Sequence, residues 1–266
     1  MYLRGLQFFN LRCAVALAFC ALLAAGSCQG AAVDAELLKV LNDDNAEMQE
    51  RDGAVKQLAK TREGAMAMIE SARKGEFPDE LKSSAALALA ESDEATVREA
   101  AAAALPLPKM KDGLTILPIS KLVLKKGDAK SGRAVFRNSK SANCINCHQI
   151  ENEGKVVGPP LNTIGEKPKE VLYESILAPS AAIQHGFETW SIRTKAGKVL
   201  TGMRAGDDDE KFTLKTVEGD FIDIPTAEIQ KKVKQKASLM PENLIGTMTT
   251  QELIDLVEYL ATQKVQ

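Results

Sequence analysis

The middle of the chain carries the pentapeptide Cys144-Ile145-Asn146-Cys147-His148. Cys-x-x-Cys-His is the pattern of a c-type haem attachment site, in which both thiols bond to the haem vinyl groups and the histidine ligates iron. Two intervening residues let one turn reach both vinyls, and the histidine must follow at once because the covalent links fix the macrocycle beside it. The pattern therefore predicts one covalently bound haem c, attached through Cys144 and Cys147 and ligated by His148.

Two other uses of the motif fit less well. A thioredoxin-type redox pair would need a preceding strand and a following helix in a βαβ unit. A zinc site would need a second Cys/His pair, which this sequence lacks. We therefore interpret the motif as a haem site.

The composition sets limits on the class of protein. With 266 residues, the chain is long enough for two domains with their own cores. Its formal net charge of -2, from 34 basic and 36 acidic residues, gives no indication of nucleic-acid binding. Because only 5% of the residues are aromatic, aliphatic and alanine side chains must fill the core, to which a buried cofactor would add.

Residues 1–27 have the features of a signal peptide. Two arginines precede an uninterrupted apolar run over 13–25, which is too short to span a bilayer. The following Ala25-Gly26-Ser27-Cys28 resembles a lipoprotein signal, in which Cys28 would be lipidated and become the mature N-terminus. Ordinary signal cleavage at neighbouring small residues is the alternative. We expect an exported protein, either periplasmic or tethered to the membrane through Cys28.

The segment 28–108 is expected to be a small helical module. Ala, Leu, Glu and Lys dominate from Val33 to Leu105, with glycine or proline between the expected helices. A weak repeat of about 31 residues is similar to HEAT-type helical repeats, although an ordinary bundle fits equally well. The scattered charges indicate a solvated face, so the expected role is a docking or spacer surface. After two prolines, residues 109–127 are expected to form an extended linker.

Residues 128–266 have the features of a haem domain. Asp128 can cap a helix that runs through Phe136, and Gly132 on that helix allows another helix to cross closely. Residues 249–252, Thr-Thr-Gln-Glu, form a capping box before apolar residues at helical spacing. An N-terminal helix crossed by a C-terminal helix beside Cys-x-x-Cys-His is the pattern of a class I cytochrome c.

Pro159 is a candidate second residue of the haem site. It lies after the motif, in Gly158-Pro159-Pro160-Leu161. In cytochromes of this class a proline carbonyl accepts the Nδ1 proton of the ligating histidine, which fixes the tautomer and makes Nε2 a better ligand. A plain loop with two prolines is the alternative.

Met240 is the candidate sixth iron ligand. It stands in Ser238-Leu239-Met240-Pro241, before the last helix, where cytochromes c carry their axial methionine. Thioether ligation favours ferrous iron and raises the reduction potential, which suits electron transfer. His185 is the competing ligand, or the sixth position is open. Met203 and Met248 are expected to be packing residues.

Between a short helix over 169–177 and Met240, residues 187–225 alternate in the manner of four short antiparallel strands joined by polar turns. We expect a small sheet inserted in the haem domain. The predicted fold class is therefore mainly α, with a HEAT-like helical module, a cytochrome c-like helical haem domain over 128–266 and this small antiparallel insert.

The second half of the chain resembles a haem-binding domain family that is abundant in planctomycete-type bacteria. The resemblance runs from about Gly127 to Gln263 and rests on the following motifs: Cys144-Ile145-Asn146-Cys147-His148-Gln149, Val157-Gly158-Pro159-Pro160-Leu161, Ile164-Gly165, Glu174-Ser175-Ile176-Leu177-Ala178-Pro179-Ser180, His185-Gly186-Phe187-Glu188 and Ser238-Leu239-Met240-Pro241. Members of the family look like c-type cytochromes, often fused behind sugar-dehydrogenase-like propellers and HEAT-like repeats. This sequence lacks a dehydrogenase domain, so the resemblance implies that the electron donor is a separate protein.

The expected function is electron transfer outside the cytoplasm by a mono-haem c-type cytochrome, with no catalytic activity of its own. Its partners would be redox proteins, including a dehydrogenase that supplies the electrons. Two alternatives stay open: a haem enzyme or ligand sensor with an open iron site, and a scaffold protein with a structural haem.

Overall fold

The computed structural model describes residues 34–138, 142–181 and 183–264, so the leader and Cys28 lie outside the described residues. The chain is 46% helical and 15% strand, with a five-stranded antiparallel sheet, which makes it a mixed α/β protein. The expectation of a mainly α fold with a small inserted sheet is wrong. Within the described ranges, none of the helices combines the length and apolar character needed to cross a membrane.

The N-terminal module is built from short helices that stack in pairs. Its described helices are α1 (34–42), α2 (Met48–Leu58), α3 (Arg62–Lys74), α4 (Lys82–Ala90) and α5 (Ala95–Ala104). Helix α2 packs on α4, and α3 packs on α5. The core between them is aliphatic and alanine-rich, as the low aromatic content requires, and includes Val55, Leu58, Met68, Ile69 and Leu89.

The segment 109–127 packs into the core of the second half instead of running free. Only Ile119–Leu122 in this segment is helical, and we name this helix α6. Met110, Ile116 and Leu122 are each at most 3% exposed and belong to the same hydrophobic cluster as the C-terminal helix. The segment expected to be a linker is therefore a structural part of the second half.

Two crossed helices form the frame of the second half, as the sequence predicts. Helix α7 (Ala129–Arg137) packs against α9 (Thr250–Ala261), and α8 (Lys169–Leu177) also contacts α9. A Cβ atom on Gly132 of α7 would overlap the backbone carbonyl oxygen of Asp255 on α9. Only glycine allows this approach. The predicted caps are also confirmed, at Asp128 for α7 and at Thr249 for α9.

The sheet has five antiparallel strands in the order β4-β3-β2-β1-β5. The strands are β1 (Thr189–Thr194), β2 (Val199–Asp207), β3 (Lys211–Lys215), β4 (Phe221–Pro225) and β5 (Ile229–Lys234). The strand β5, which the sequence analysis missed, pairs with β1 and extends the sheet beyond residue 225. The sheet has its own buried core of Ile192, Phe212, Leu214 and Ile224. This core, independent of the helices, is why the fold class differs from the expectation.

Candidate haem-attachment site

The Cys-x-x-Cys-His motif forms one tight turn. Cys144–Asn146 makes a single 3₁₀ turn, and the amides of Cys147 and His148 both donate to the Cys144 carbonyl, at 3.0 and 2.8 Å. Asn143 enters the turn with a left-handed φ of 53°, a conformation that asparagine tolerates better than most residues. The turn therefore brings two free thiols and an imidazole together on one short segment.

Both thiols lie in surroundings that disfavour the thiolate. Burial raises the pKa of Cys144 to about 12. Burial also raises the pKa of Cys147, against a smaller opposing effect of the Lys155 ammonium. A thioredoxin-type cysteine has a lowered pKa instead, because its surroundings stabilise the thiolate. The surroundings of these thiols therefore do not favour the redox-pair alternative.

The imidazole of His148 is oriented by a backbone carbonyl. Its Nδ1 lies 2.8 Å from the Pro159 carbonyl oxygen, so the ring donates there as an Nδ1–H tautomer. Burial lowers the pKa of His148, although the Pro159 hydrogen bond acts in the opposite direction. Burial therefore favours the neutral ring, and in the described part of the chain no protein hydrogen bond occupies Nε2. This is the state in which histidine ligates a metal.

The loop after the motif packs closely on the histidine ring. The amides of Val157 and Gly158 donate to the Cys147 carbonyl at 3.0 and 2.7 Å. A Cβ atom on Gly158 would lie 2.6 Å from Cε1 of His148, too close for any side chain without a shift of the ring or loop. The glycine therefore allows the backbone to lie against the imidazole while the Pro159 carbonyl reaches Nδ1. The sequence places Gly158 in the Gly-Pro-Pro-Leu motif but gives no indication that its backbone lies against the His148 ring.

Two lysine side chains connect the β3–β4 hairpin of the sheet with the loop after the motif. Lys155 Nζ donates to the Glu218 carbonyl at 3.1 Å, and Lys215 Nζ donates to the Val156 carbonyl. Glu218 lies in the turn between β3 and β4, and Lys215 is the last residue of β3. The β3–β4 hairpin therefore braces the loop that carries the histidine's hydrogen-bond acceptor. No sequence signal indicated this contact, because it joins residues about 60 positions apart through backbone carbonyls.

Met240 lies at the hydrophobic cluster that also contacts the motif. It is partly buried and packs against the core formed by α7, α8 and α9, as do Cys144 and Ile145. Its amide donates to Ser238 Oγ at 3.1 Å, and the Ser238 amide donates to Ser180 Oγ at 3.2 Å. The structure thus brings the candidate sixth ligand to the same core as the first thiol.

The competing candidates lie in different surroundings. His185 is exposed. It lines a cleft of about 280 Å³ between the helical module and the five-stranded sheet, together with Asp44 and Lys234. Met203 and Met248 are 5% and 0% exposed, as expected for packing residues.

The donor set fits a covalently attached haem. Within the part of the chain that the structure describes, the two thiols are free, Pro159 orients the His148 ring, and the Asn143 side-chain oxygen is buried without a hydrogen-bond partner. In the described ranges, no group of three or more His, Cys, Asp or Glu side chains is arranged to hold a metal ion by itself. Haem iron needs no such group, because the porphyrin supplies four of its ligands.

Comparisons with known proteins add no further assignment. No protein-family model matches the chain, and no curated protein matches it at a significant level. The interpretation of the site therefore depends on its residues and their geometry.

Proposed function

We propose that this protein is a mono-haem c-type cytochrome that transfers electrons outside the cytoplasm. The observation that carries the proposal is the 2.8 Å hydrogen bond between Nδ1 of His148 and the Pro159 carbonyl, directly beside the free thiols of Cys144 and Cys147. This bond leaves Nε2 available as an axial iron ligand. The resemblance of residues 127–263 to the planctomycete-type haem-binding family supports this proposal.

Each residue of the site has a distinct role in this proposal. The thiols of Cys144 and Cys147 bind the cofactor covalently, and the Pro159 carbonyl orients the His148 ring. Bound at this site, haem c supplies a one-electron couple at its iron. Met240, partly buried against the apolar cluster, would be the second residue that holds the iron. A low dielectric and a thioether ligand both favour the ferrous state and so raise the potential.

The leader suggests where the protein is located, and the single-haem site suggests which proteins it exchanges electrons with. Export would place it in the periplasm, or at the membrane through lipidated Cys28. Electrons would come from a separate dehydrogenase and pass to an acceptor protein, since the proposed carrier requires no substrate chemistry of its own.

Visible spectra of the protein, matured with haem in an exporting host, test this function. We expect a low-spin c-type spectrum with the weak far-red sulfur-to-iron band. Met240→Ala should abolish that band and lower the potential. Met66→Ala is the matched control, because Met66 is also partly buried but packs in the helical module; this variant should keep both properties.

A high-spin ferric wild type that binds cyanide or carbon monoxide would contradict the proposed His/Met ligation. Such a result would favour an enzyme or sensor with an open iron site.

A further inference from the structure

Residues 236–242, which we call the methionine loop, have few hydrogen bonds of their own. In the described part of the chain, no backbone-to-backbone hydrogen bond involves residues 236–240. Among the described residues, the Met240 amide donates to Ser238 Oγ, the Ser238 amide donates to Ser180 Oγ in the segment after α8, and the Leu244 amide donates to the Pro241 carbonyl. If Met240 on this loop is to ligate iron, contacts from other parts of the chain must hold the loop in place.

The helical module provides those contacts on both sides of the methionine. On the N-terminal side, Lys236 Nζ pairs with the carboxylate of Asp44 and lies 3.5 Å from that of Glu80. On the C-terminal side, Ser83 Oγ donates to Glu242 Oε2 at 2.6 Å. Asp44, Glu80 and Ser83 all belong to the helical module. The module therefore contacts the methionine loop on both sides of Met240.

These contacts differ in strength. Asp44 is 80% exposed at its side chain, so its pair with Lys236 contributes little. Glu80 is only 17% exposed and is fixed by Arg51, whose buried Nη1 lies 2.7 Å from the carboxylate. Arg51 is itself held through Nε, which donates to the Leu41 carbonyl at 2.8 Å. Lys236 therefore contacts a partly buried carboxylate that Arg51 holds in place, in addition to the exposed carboxylate of Asp44.

The Ser83–Glu242 hydrogen bond, at 2.6 Å, is shorter than the 3.5 Å Lys236–Glu80 pair. It is partly buried, its acceptor is charged, and Glu242 is only two residues from Met240. Leu87 of the same helix, α4, is buried in the core of the second half, which fixes α4 against the methionine loop. Movement of Ser83 relative to Glu242 is thereby restricted.

We infer that the helical module is a positioning element for Met240, acting through Lys236–Glu80 and Ser83–Glu242. The inference rests on the proposed function, because it gives the module a role in maintaining axial ligation. Neither Ser83 nor Lys236 contacts the iron site; both act on the loop that carries the ligand.

The double variant S83A/K236M tests this inference in the full-length protein. The matched control is S175A/K232M. Ser175 bonds only within its own helix, to the Val171 carbonyl, and Lys232 pairs with Asp207 on the sheet. The side chains of Lys232 and Lys236 are 37% and 36% exposed, so the two lysine substitutions change equally accessible sites.

Two readouts are measured on each protein. Hydrogen–deuterium exchange of the Ser238 and Met240 amides, which donate the loop's hydrogen bonds, reports loop order without reference to haem. The far-red sulfur-to-iron band, followed during denaturation, reports methionine ligation. We expect about tenfold faster exchange in S83A/K236M. Its far-red band should also disappear at a lower denaturant concentration than its helical circular dichroism. The control should match the wild type in both.

Each result distinguishes this inference from the proposed function. Equal exchange and equal band loss in both double variants would overturn the inference and leave the proposed function intact. A wild type without the far-red band would overturn His/Met ligation, and the exchange rates would then decide alone whether the module holds the loop. If S83A/K236M does not fold, the S83A single variant is compared with S175A in the same way.

Discussion

The His148 imidazole is confined by two neighbours in the chain segment that follows it. Pro159 accepts from its Nδ1, and the Gly158 backbone lies against the ring, where no Cβ atom fits. Both contacts restrict the orientation of the ring before any cofactor ligand is considered. Gly158 and Pro159 therefore both restrict the orientation of the His148 ring, one by close packing and the other by a hydrogen bond.

Replacement of Gly158 by alanine should disturb the ring. Because the new Cβ would lie 2.6 Å from Cε1 of His148, either the ring or the loop must shift. We expect the free energy of unfolding to fall by about 1–3 kcal/mol, the usual cost of overpacking, and the spectrum of the haem-loaded protein to change. Thermal unfolding and visible spectroscopy measure these effects.

Gly206→Ala is the control for this substitution. A Cβ atom there would meet only Thr213 atoms at 3.6 Å, which is ordinary van der Waals contact. The prediction is wrong if G158A and G206A unfold alike and both keep the wild-type spectrum.

At the residue scale, the sequence predicted the hydrogen bond between His148 and Pro159 but not the contacts that support the loop around it. The Pro159 hydrogen bond could be anticipated because it joins two nearby segments in a known pattern. The close approach of Gly158 and the hydrogen bond from Lys215 to the Val156 carbonyl could not. Both depend on the path of the backbone in three dimensions, which residue types do not encode directly.

At the element scale, the crossing of α7 and α9 is the contact most sensitive to a single methyl group. The Gly132 position faces the Asp255 carbonyl directly. The Asp255 carboxylate also accepts from the Asp128 amide at 2.9 Å, at the N-terminus of α7. The two helices are therefore joined by close backbone packing and by a partly buried hydrogen bond.

Gly132→Ala should separate these helices. We expect a loss of about 3 kcal/mol in the free energy of unfolding, because backbone cannot move aside as a flexible side chain can. Denaturant unfolding followed by circular dichroism measures the loss.

Gly53→Ala is the matched control, since Gly53 is also helical but has nothing within 4 Å of a Cβ position. It should be neutral or stabilising by about 0.5–1 kcal/mol. Similar unfolding curves for G132A and G53A would show that the crossing tolerates a methyl group.

The sequence predicted helices better than strands for identifiable reasons. Helix α8 was predicted with its observed bounds, 169–177, because a proline stands before it and another follows it closely. Strand β5 was missed because its sequence, Ile-Gln-Lys-Lys-Val-Lys, has only two apolar residues. An edge strand of this kind needs few buried side chains, and its lysines discourage further pairing. Residues 109–127 were predicted to be a linker because Pro118 interrupts their apolar residues and Lys125-Lys126 follows them.

At the scale of the whole molecule, the two halves share buried contacts. Leu87 belongs to the helical module but is 5% exposed within the core of the second half. Lys56 of α2 pairs with Glu174 of α8 at 2.8 Å. An expected spacer is thus packed directly against the proposed haem domain, and we expect the halves to unfold together.

Leu87→Ala should lower the stability of both halves by about 2–4 kcal/mol, because it removes a buried side chain from their shared core. The unfolding curves from far-UV circular dichroism and from haem absorption should stay coincident. Leu124→Ala, at a site that is 78% exposed, should change neither. Two separate transitions in the wild type would refute this cooperativity.

The protonated, sheltered state of Cys144 has a consequence for the biogenesis of the protein. The thiol is partly buried against a hydrophobic cluster that includes residues of α9 at the C-terminal end. A thiol with a pKa of about 12 is a poor nucleophile, so the folded chain would resist covalent loading with haem. We therefore expect haem to attach faster to a chain whose C-terminal helix has not yet packed, which loading of the unfolded and the folded apoprotein would compare.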